Sequence, residues 1–350
     1  FMRYPEYLPA GGTIGFVAPS FGCAMEPYRT CFENACRTFE KLGYRLDPGP
    51  NCMAEEGVGI SNTPEKCAAE LMEYYRKEEN DVLISCGGGE LMCEVLSHMD
   101  FEALKAAKPK WYMGFSDNTN MTFLLATLCD TASIYGPCAS SFGMEPWHES
   151  LQDAFDLLTG KKDAVYGYDR REPAEAKESL RAEETPLALY RLTEKKILKS
   201  YVGHSAVPAE KKLQFEGRLI GGCMDCLVNL LGTRFDRTAE FTERYKKEGL
   251  IWFLEACDLN VFSIRRAMWQ MEEAGWFRYV KGFLIGRPLC FGQELMGLDA
   301  YQAVLKVAGE KNVPVIMDVD LGHLSPMMPL ITGSHGKVSV CGNDISIQFS

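Results

Sequence analysis

Lys110-Trp111-Tyr112-Met113-Gly114-Phe115-Ser116-Asp117-Asn118-Thr119 is the stretch from which the rest of the chain can be read. A short apolar run ends at a glycine, small polar residues follow, and Thr119 to Cys129 is again apolar with helical character. This pattern is a buried strand that delivers Ser116 into a tight turn from which a helix starts. In one reading the turn is a nucleophile elbow: it holds the hydroxyl up, and the Asp117 N–H points at a developing oxyanion. The usual G-x-S-x-G signature is half met, because Asn118 stands where the second glycine belongs. In the other reading Ser116 or Asp117 simply caps the helix.

The elements on either side repeat the rhythm. Thr13 to Val17, closed by Ala18-Pro19, and Asp81 to Cys86, closed by Gly87-Gly88-Gly89, read as buried strands. Glu26 to Leu42, ended by Gly43, and the segment from Pro64 to about Glu78, capped by Thr63, read as helices. Strand, helix, strand, helix in this order predicts a parallel sheet with helices on both faces. The rhythm breaks at 161–190, where 13 of 30 residues are charged, the mark of a solvated connector. It resumes after Lys212, with strands at 250–254, 280–285 and 313–317, a helix at 260–274, and a closing hairpin from Lys337 to Ser350. The expected organisation is an N-terminal domain over 1–150, a charged linker over 151–212 and a C-terminal α/β domain with a mixed sheet over 213–350.

Composition narrows the partners. With 37 Lys and Arg against 48 Asp and Glu the net charge is −11, whereas a nucleic-acid surface needs a basic excess. No apolar run reaches the roughly 18–20 residues of a membrane span. The opening Phe1-Met2-Arg3-Tyr4-Pro5-Glu6 lacks a secretory pattern, so a cytoplasmic location is expected. The 14 cysteines, scattered through apolar stretches, then read as reduced core thiols. The one CxxC, Cys223 to Cys226, has no second pair to complete a zinc site, and no metal is expected.

A serine nucleophile needs a base, usually histidine, and the chain has only five: His98, His148, His204, His323 and His335. His323 follows the strand at 313–317 and so falls on the rim where active sites of parallel sheets form. His335, in Gly333-Ser334-His335-Gly336, is the alternative. Glu255 ends the apolar run Ile251 to Leu254 and is the best candidate to orient the base. The glycines after Cys86 either complete an oxyanion hole or cradle a phosphate, although no G-x-G-x-x-G or GxxxxGK[ST] spacing is present.

With these residues placed, the chain resembles the serine peptidases that comprise LD-carboxypeptidases (muramoyl-tetrapeptide carboxypeptidases) and microcin C self-immunity proteins. The matching segments, in family order, begin with Ile14 to Ser20, Cys86-Gly87-Gly88 and Pro109 through Thr119 with Tyr135-Gly136-Pro137. They continue with Leu219 to Gly222, Leu231-Gly232-Thr233, Phe253-Leu254-Glu255 and Gly322-His323 with Pro329. The resemblance implies a Ser116-Glu255-His323 triad between two domains, with oxyanion donors from the Gly88 and Asp117 backbone. It also implies a homodimer that needs no cofactor. The implied substrate is a small peptide or a peptidyl-nucleotide-like amide.

Two positions depart from the family: Cys86 stands where Arg is common and Cys223 where Asn is usual. Cys86, Gly87, Gly89, Trp147 and Cys223 are therefore the expected substrate-binding residues, with Trp147 as an aromatic platform. The missing Arg and the long middle segment lean towards the microcin-immunity branch. A non-catalytic small-peptide-binding protein on the same scaffold is the alternative function.

Overall fold

A computed structural model describes residues 1–174 and 185–350, and the chain divides into two units. The first contains Phe1–Lys162 and, of the described residues, 185–189. Its strands are β1 (Thr13–Val17), β2 (Arg45–Pro48), β3 (Val82–Ser85), β4 (Trp111–Gly114) and β5 (Ser133–Tyr135). They lie in the order β5-β4-β3-β1-β2, every pair parallel. The crossovers are α1 (Tyr28–Lys41), α2 (Pro64–Arg76), α3 (Phe101–Ala106) and α4 (Thr119–Cys129), and α5 (Glu149–Thr159) follows. The sequence punctuates them as expected: Thr63 accepts from the Lys66 N–H at 3.3 Å with Pro64 in the first turn of α2, and Gly43, with φ of 95°, follows α1.

Neighbouring strand residues point to opposite faces, which shows how both faces are covered. Val17 packs with Leu71 and Tyr75 of α2, Leu104 of α3 and Met121 and Leu125 of α4. Phe16 instead meets Phe32 and Phe39 of α1, and Phe39 leads on to Phe155 of α5. A strand buried on both sides reads as a continuous apolar run, which is why Leu83-Ile84 shows no alternation.

The second unit contains residues 163–174 and Tyr190–Ser350. Its mixed sheet is built from β6 (Ala164–Tyr166), β7 (Lys199–Val202), β8 (Ser205–Ala206), β9 (Leu213–Cys223), β10 (Leu250–Glu255), β11 (Val280–Gly286), β12 (Pro314–Val319), β13 (His335–Cys341) and β14 (Asp344–Phe349). The spatial order is β8-β7-β12-β11-β10-β9-β13-β14-β6. The four central strands, β12 to β9, are parallel and the flanking pairs antiparallel.

The stretch expected as a linker, 151–212, is therefore largely built into the two units. Residues 151–159 lie in α5, and β6, β7 and β8 join the second sheet. Among its described residues, Lys161, Lys162, Asp163, Asp169 and Arg170 are exposed to water. Residues 175–184 of that stretch lie outside the described residues.

Candidate active site

Two clusters of polar side chains, one in each unit, stand at strand ends. In the first, β4 stops at Gly114, Phe115 is extended, and Ser116 takes a φ of 63° before a single 3-10 turn leads into α4. A left-handed φ is strained for a residue with a Cβ, and strain of this kind clusters at functional sites. No side chain caps α4, so the helix-cap reading of Ser116 and Asp117 does not hold. Asp117 Oδ2 accepts from Ser20 Oγ at 2.5 Å and from the Met92 N–H at 3.0 Å, while its Oδ1 accepts from the Asn120 side chain at 3.3 Å. The Ser116 N–H donates to Tyr135 Oη at 3.0 Å.

The glycine loop lies beside this elbow. A Cβ placed on Gly88 would sit 3.7 Å from Ser116 Oγ. Its carbonyl accepts from the Phe21 N–H at 2.9 Å, and the Cys86 carbonyl accepts from the Ser140 N–H at 3.4 Å. Gly89 has a packing reason to be glycine: a Cβ there would lie 2.2 Å from Ser20 Oγ. Gly87 has more room, with the Phe21 carbonyl 3.5 Å from such an atom.

Three sequence expectations change here. Cys86 is fully buried, and hydrogen bonding to the Cys23 and Cys52 thiols, together with burial, pushes its own thiol well above the ordinary range. It is a core residue whose side chain turns inward from the loop. Trp147 is no open platform, because its ring meets Phe39, Phe142 and Phe155 edge-on and its Nε1–H donates to the Phe142 carbonyl at 2.8 Å. Cys223 is 2% exposed and is the cross-strand partner of Glu255 in the β9–β10 ladder. Contact with Cys226, burial and the Glu255 charge raise its thiol pKa, so it too belongs to the interior.

The second cluster holds a glutamate–histidine pair. Glu255, the last residue of β10, is buried, and its Oε2 lies 2.8 Å from His323 Nδ1. Gly322, with φ of +105°, is needed for this approach, since a Cβ there would come within 2.7 Å of Glu255 Oε2. Burial works to lower the His323 pKa, but the Glu255 carboxylate and a hydrogen bond with the Cys257 thiol hold it well above the ordinary imidazole value. Cys257 in turn is raised by burial and lowered by His323. His335 bridges the part-exposed Glu216 and Glu248, His204 meets Glu310, His98 meets Glu65, and His148 caps α5.

Sequence reasoning missed the groups that hold this pair in place. Asp225 accepts from the Cys257 and Asp258 N–H groups at 2.9 and 2.8 Å, fastening the loop that follows Glu255. Arg287 donates to the Leu324 and Pro326 carbonyls at 3.1 and 3.2 Å, on the loop that carries His323. Asp225 was visible only as the interior of a CxxC, and Arg287 as one charge after an apolar strand. Among the described residues no group of three His, Cys, Asp or Glu side chains is arranged to hold a metal ion.

A strained serine on a strand-to-helix elbow and a buried Glu–His pair at strand ends are the equipment of a serine hydrolase. The LD-carboxypeptidase N-terminal domain matches residues 14–136, and the LD-carboxypeptidase C-terminal domain matches residues 216–338. The chain belongs to this family, peptidase family S66, and is a serine-type hydrolase of the carboxypeptidase class. It is 24% identical over 349 residues to a putative carboxypeptidase of Treponema pallidum, covering 98% of this chain and 94% of that one. It is 22% identical over 350 residues to a probable murein peptide carboxypeptidase of Bacillus subtilis, with the same coverages. In fold it is similar to an MccF-like protein of Bacillus anthracis, with a TM-score of 0.81, 19% identity and coverage of 99% and 100%. It is also similar to the microcin immunity protein MccF solved with glutamyl sulfamoyl guanosine, with a TM-score of 0.79, 22% identity and 98% of each chain covered.

Proposed function

We propose that this enzyme hydrolyses an amide bond in a small peptide through an acyl-enzyme, with Ser116 as nucleophile, His323 as general base and acid, and Glu255 orienting His323. The observation that carries this reading is the buried 2.8 Å contact of Glu255 with His323 Nδ1, which orients the ring and assigns Nε2 the work on the serine proton. Ser116 attacks the carbonyl, His323 takes its proton and hands it to the leaving amine, and water then releases the acyl group. The Gly88 and Asp117 N–H groups receive the oxyanion, each worth about 3–4 kcal/mol if lost. A cytoplasmic homodimer that works without a cofactor completes the proposal.

For the substrate, the relative named a probable murein peptide carboxypeptidase supports a murein peptide, and the family resemblance narrows it to one that loses a D-amino acid. A peptidyl-nucleotide-like amide is the second reading, favoured by the similarity of the whole chain to MccF, solved with aminoacyl sulfamoyl nucleosides. A panel of muropeptides and aminoacyl-nucleotide amides, incubated with wild type and with Ser116→Ala and read by mass spectrometry, decides between them. Loss of all turnover in the variant is expected. Full activity there would sink the mechanism.

A further inference from the structure

Asn118 is fully buried, at the place where the elbow signature calls for glycine. Its Oδ1 accepts from Tyr112 Oη at 2.5 Å, and the backbone carbonyls at the other end, which can only accept, fix that end as the donor. The Nδ2 group then donates to two backbone carbonyls, Gly87 at 3.0 Å and Phe115 at 3.1 Å. Gly114 makes the room, because a Cβ there would come within 2.7 Å of Asn118 Cγ.

Those two carbonyls are not arbitrary. In a trans peptide the C=O and the following N–H point in opposite directions. The Gly87 carbonyl shares its peptide plane with the Gly88 N–H, and the Phe115 carbonyl shares its plane with the Ser116 N–H. A single NH2 group thus ties two planes together, with the Phe115 carbonyl also accepting from the Asn118 N–H at 3.2 Å. One carries the oxyanion donor of the glycine loop. The other leads into the strained serine, whose own N–H is held from the far side by Tyr135. Ser85 Oγ adds a second, longer bond to the Gly87 carbonyl at 3.3 Å.

We propose that Asn118 is the positioning residue of the oxyanion hole, its carboxamide locking the Gly88 peptide and the Ser116 elbow in one fixed relation. The glycine after the serine in other elbows leaves this task to the rest of the turn; here a side chain takes it over. This inference rests on the serine-hydrolase reading above for its kinetic consequences, but its geometry lies wholly within the first unit.

The test uses Asn118→Asp, which keeps the acceptor for Tyr112 and removes the donor, and Asn118→Ala, which removes both. In each, kcat on the best substrate of the panel is expected to fall by ~10²–10³-fold, the cost of a lost oxyanion donor. KM should stay within about threefold and the acid limb of the pH profile should not move, because the base lies on another element. Tyr112→Phe, which removes the donor to Oδ1 and loosens the carboxamide without reversing it, should lower kcat by a smaller factor with KM again unchanged. Crystal structures of wild type and Asn118→Ala supply a readout that needs no activity: the Gly87–Gly88 peptide should turn or lose its single orientation while β3 and α4 stay in place. An Asn118→Ala crystal with that peptide unchanged overturns the proposal, as does a folded Asn118→Asp enzyme with wild-type kcat. A wild type without hydrolase activity would instead refute the functional reading and leave the crystal comparison to judge Asn118.

Discussion

His323 Nδ1 lies 2.8 Å from Glu255 Oε2, with the carboxylate fully buried and the ring 13% exposed. Burial favours the neutral ring, yet the carboxylate and the Cys257 contact win, and the pKa stands well above the ordinary value of about 6.5. In its proposed role as general base His323 works only when unprotonated, so kcat/KM should rise with pH through a point above the ordinary histidine range. Glu255→Gln removes the charge and leaves burial opposed mainly by the Cys257 contact. The acid limb should then move to lower pH while kcat falls on the order of 10³–10⁴-fold. A pH profile of kcat/KM for both enzymes checks the two effects together; an acid limb that stays put in the variant would refute the pairing.

The loop bearing His323 is held by a buried ion network. Arg287 is 1% exposed and pairs with Asp320 at 2.5 Å, and Asp320 also accepts from Lys196 Nζ at 3.0 Å and the Tyr168 N–H at 2.8 Å. Arg287→Met strips the charge and both bonds to the His323 loop. Lys196 remains to compensate Asp320, so the loss should fall at the low end of the range for broken buried pairs, about 3 kcal/mol in urea unfolding. Arg287→Lys should recover little, since one ammonium cannot span a carboxylate and two carbonyls. A change below 1 kcal/mol in the methionine variant would show that the network carries little stability.

The parallel-sheet skeleton was legible because strands buried on both faces are continuous apolar runs with glycine or proline at their ends. Val82–Ser85, Trp111–Gly114 and Leu250–Glu255 are of this kind. Arg45–Pro48 and Ser133–Tyr135 were missed, one half-exposed and charged, the other only three residues long. For the site, the sequence showed Glu255 and His323, which the fold brings into contact. It did not show where side chains turn. Cys86 and Trp147 stand beside suggestive motifs, and only the tertiary contacts reveal that both pack inward. Asp225 and Arg287 act on residues more than 30 positions away, and no local pattern marks such a partner.

The cysteines offer a direct check of that inward packing. Cys23, Cys52 and Cys86 are at most 3% exposed, while Cys341 is exposed on the closing hairpin. Burial pushes Cys36, partly accessible, up to about 12, so its reactive thiolate is scarce. Iodoacetamide on the native protein at pH 8 should modify Cys341 first, with Cys36 lagging and the buried three protected until unfolding. Peptide mass spectrometry over time reads the order. Modification of Cys86 at the rate of Cys341 would mean that it lines an open pocket after all.

Glu70 sets the pH response of the first unit. Its carboxylate is 2% exposed and accepts from the Ala18 and Asn51 N–H groups, each at 2.6 Å, joining the ends of β1 and β2. Gly49 must be glycine beside it, as a Cβ would lie 2.5 Å from Oε2. Burial raises the pKa from 4.5 to about 7 against the pull of those two N–H groups. A carboxyl raised on folding binds its proton more tightly in the folded state. Its contribution is therefore fully present below about pH 4.5 and is lost as pH rises to 7, where the folded form also ionises. Glu70→Gln cannot titrate, and it sacrifices one of the two acceptors, so it should start less stable at low pH. The difference between wild type and variant should then shrink by about 1.4 kcal/mol per pH unit, roughly 3 kcal/mol in all, and level off above neutrality. Urea unfolding of both proteins at pH 5, 6, 7 and 8 measures the slope. Parallel stability curves would place the Glu70 proton equilibrium outside this range.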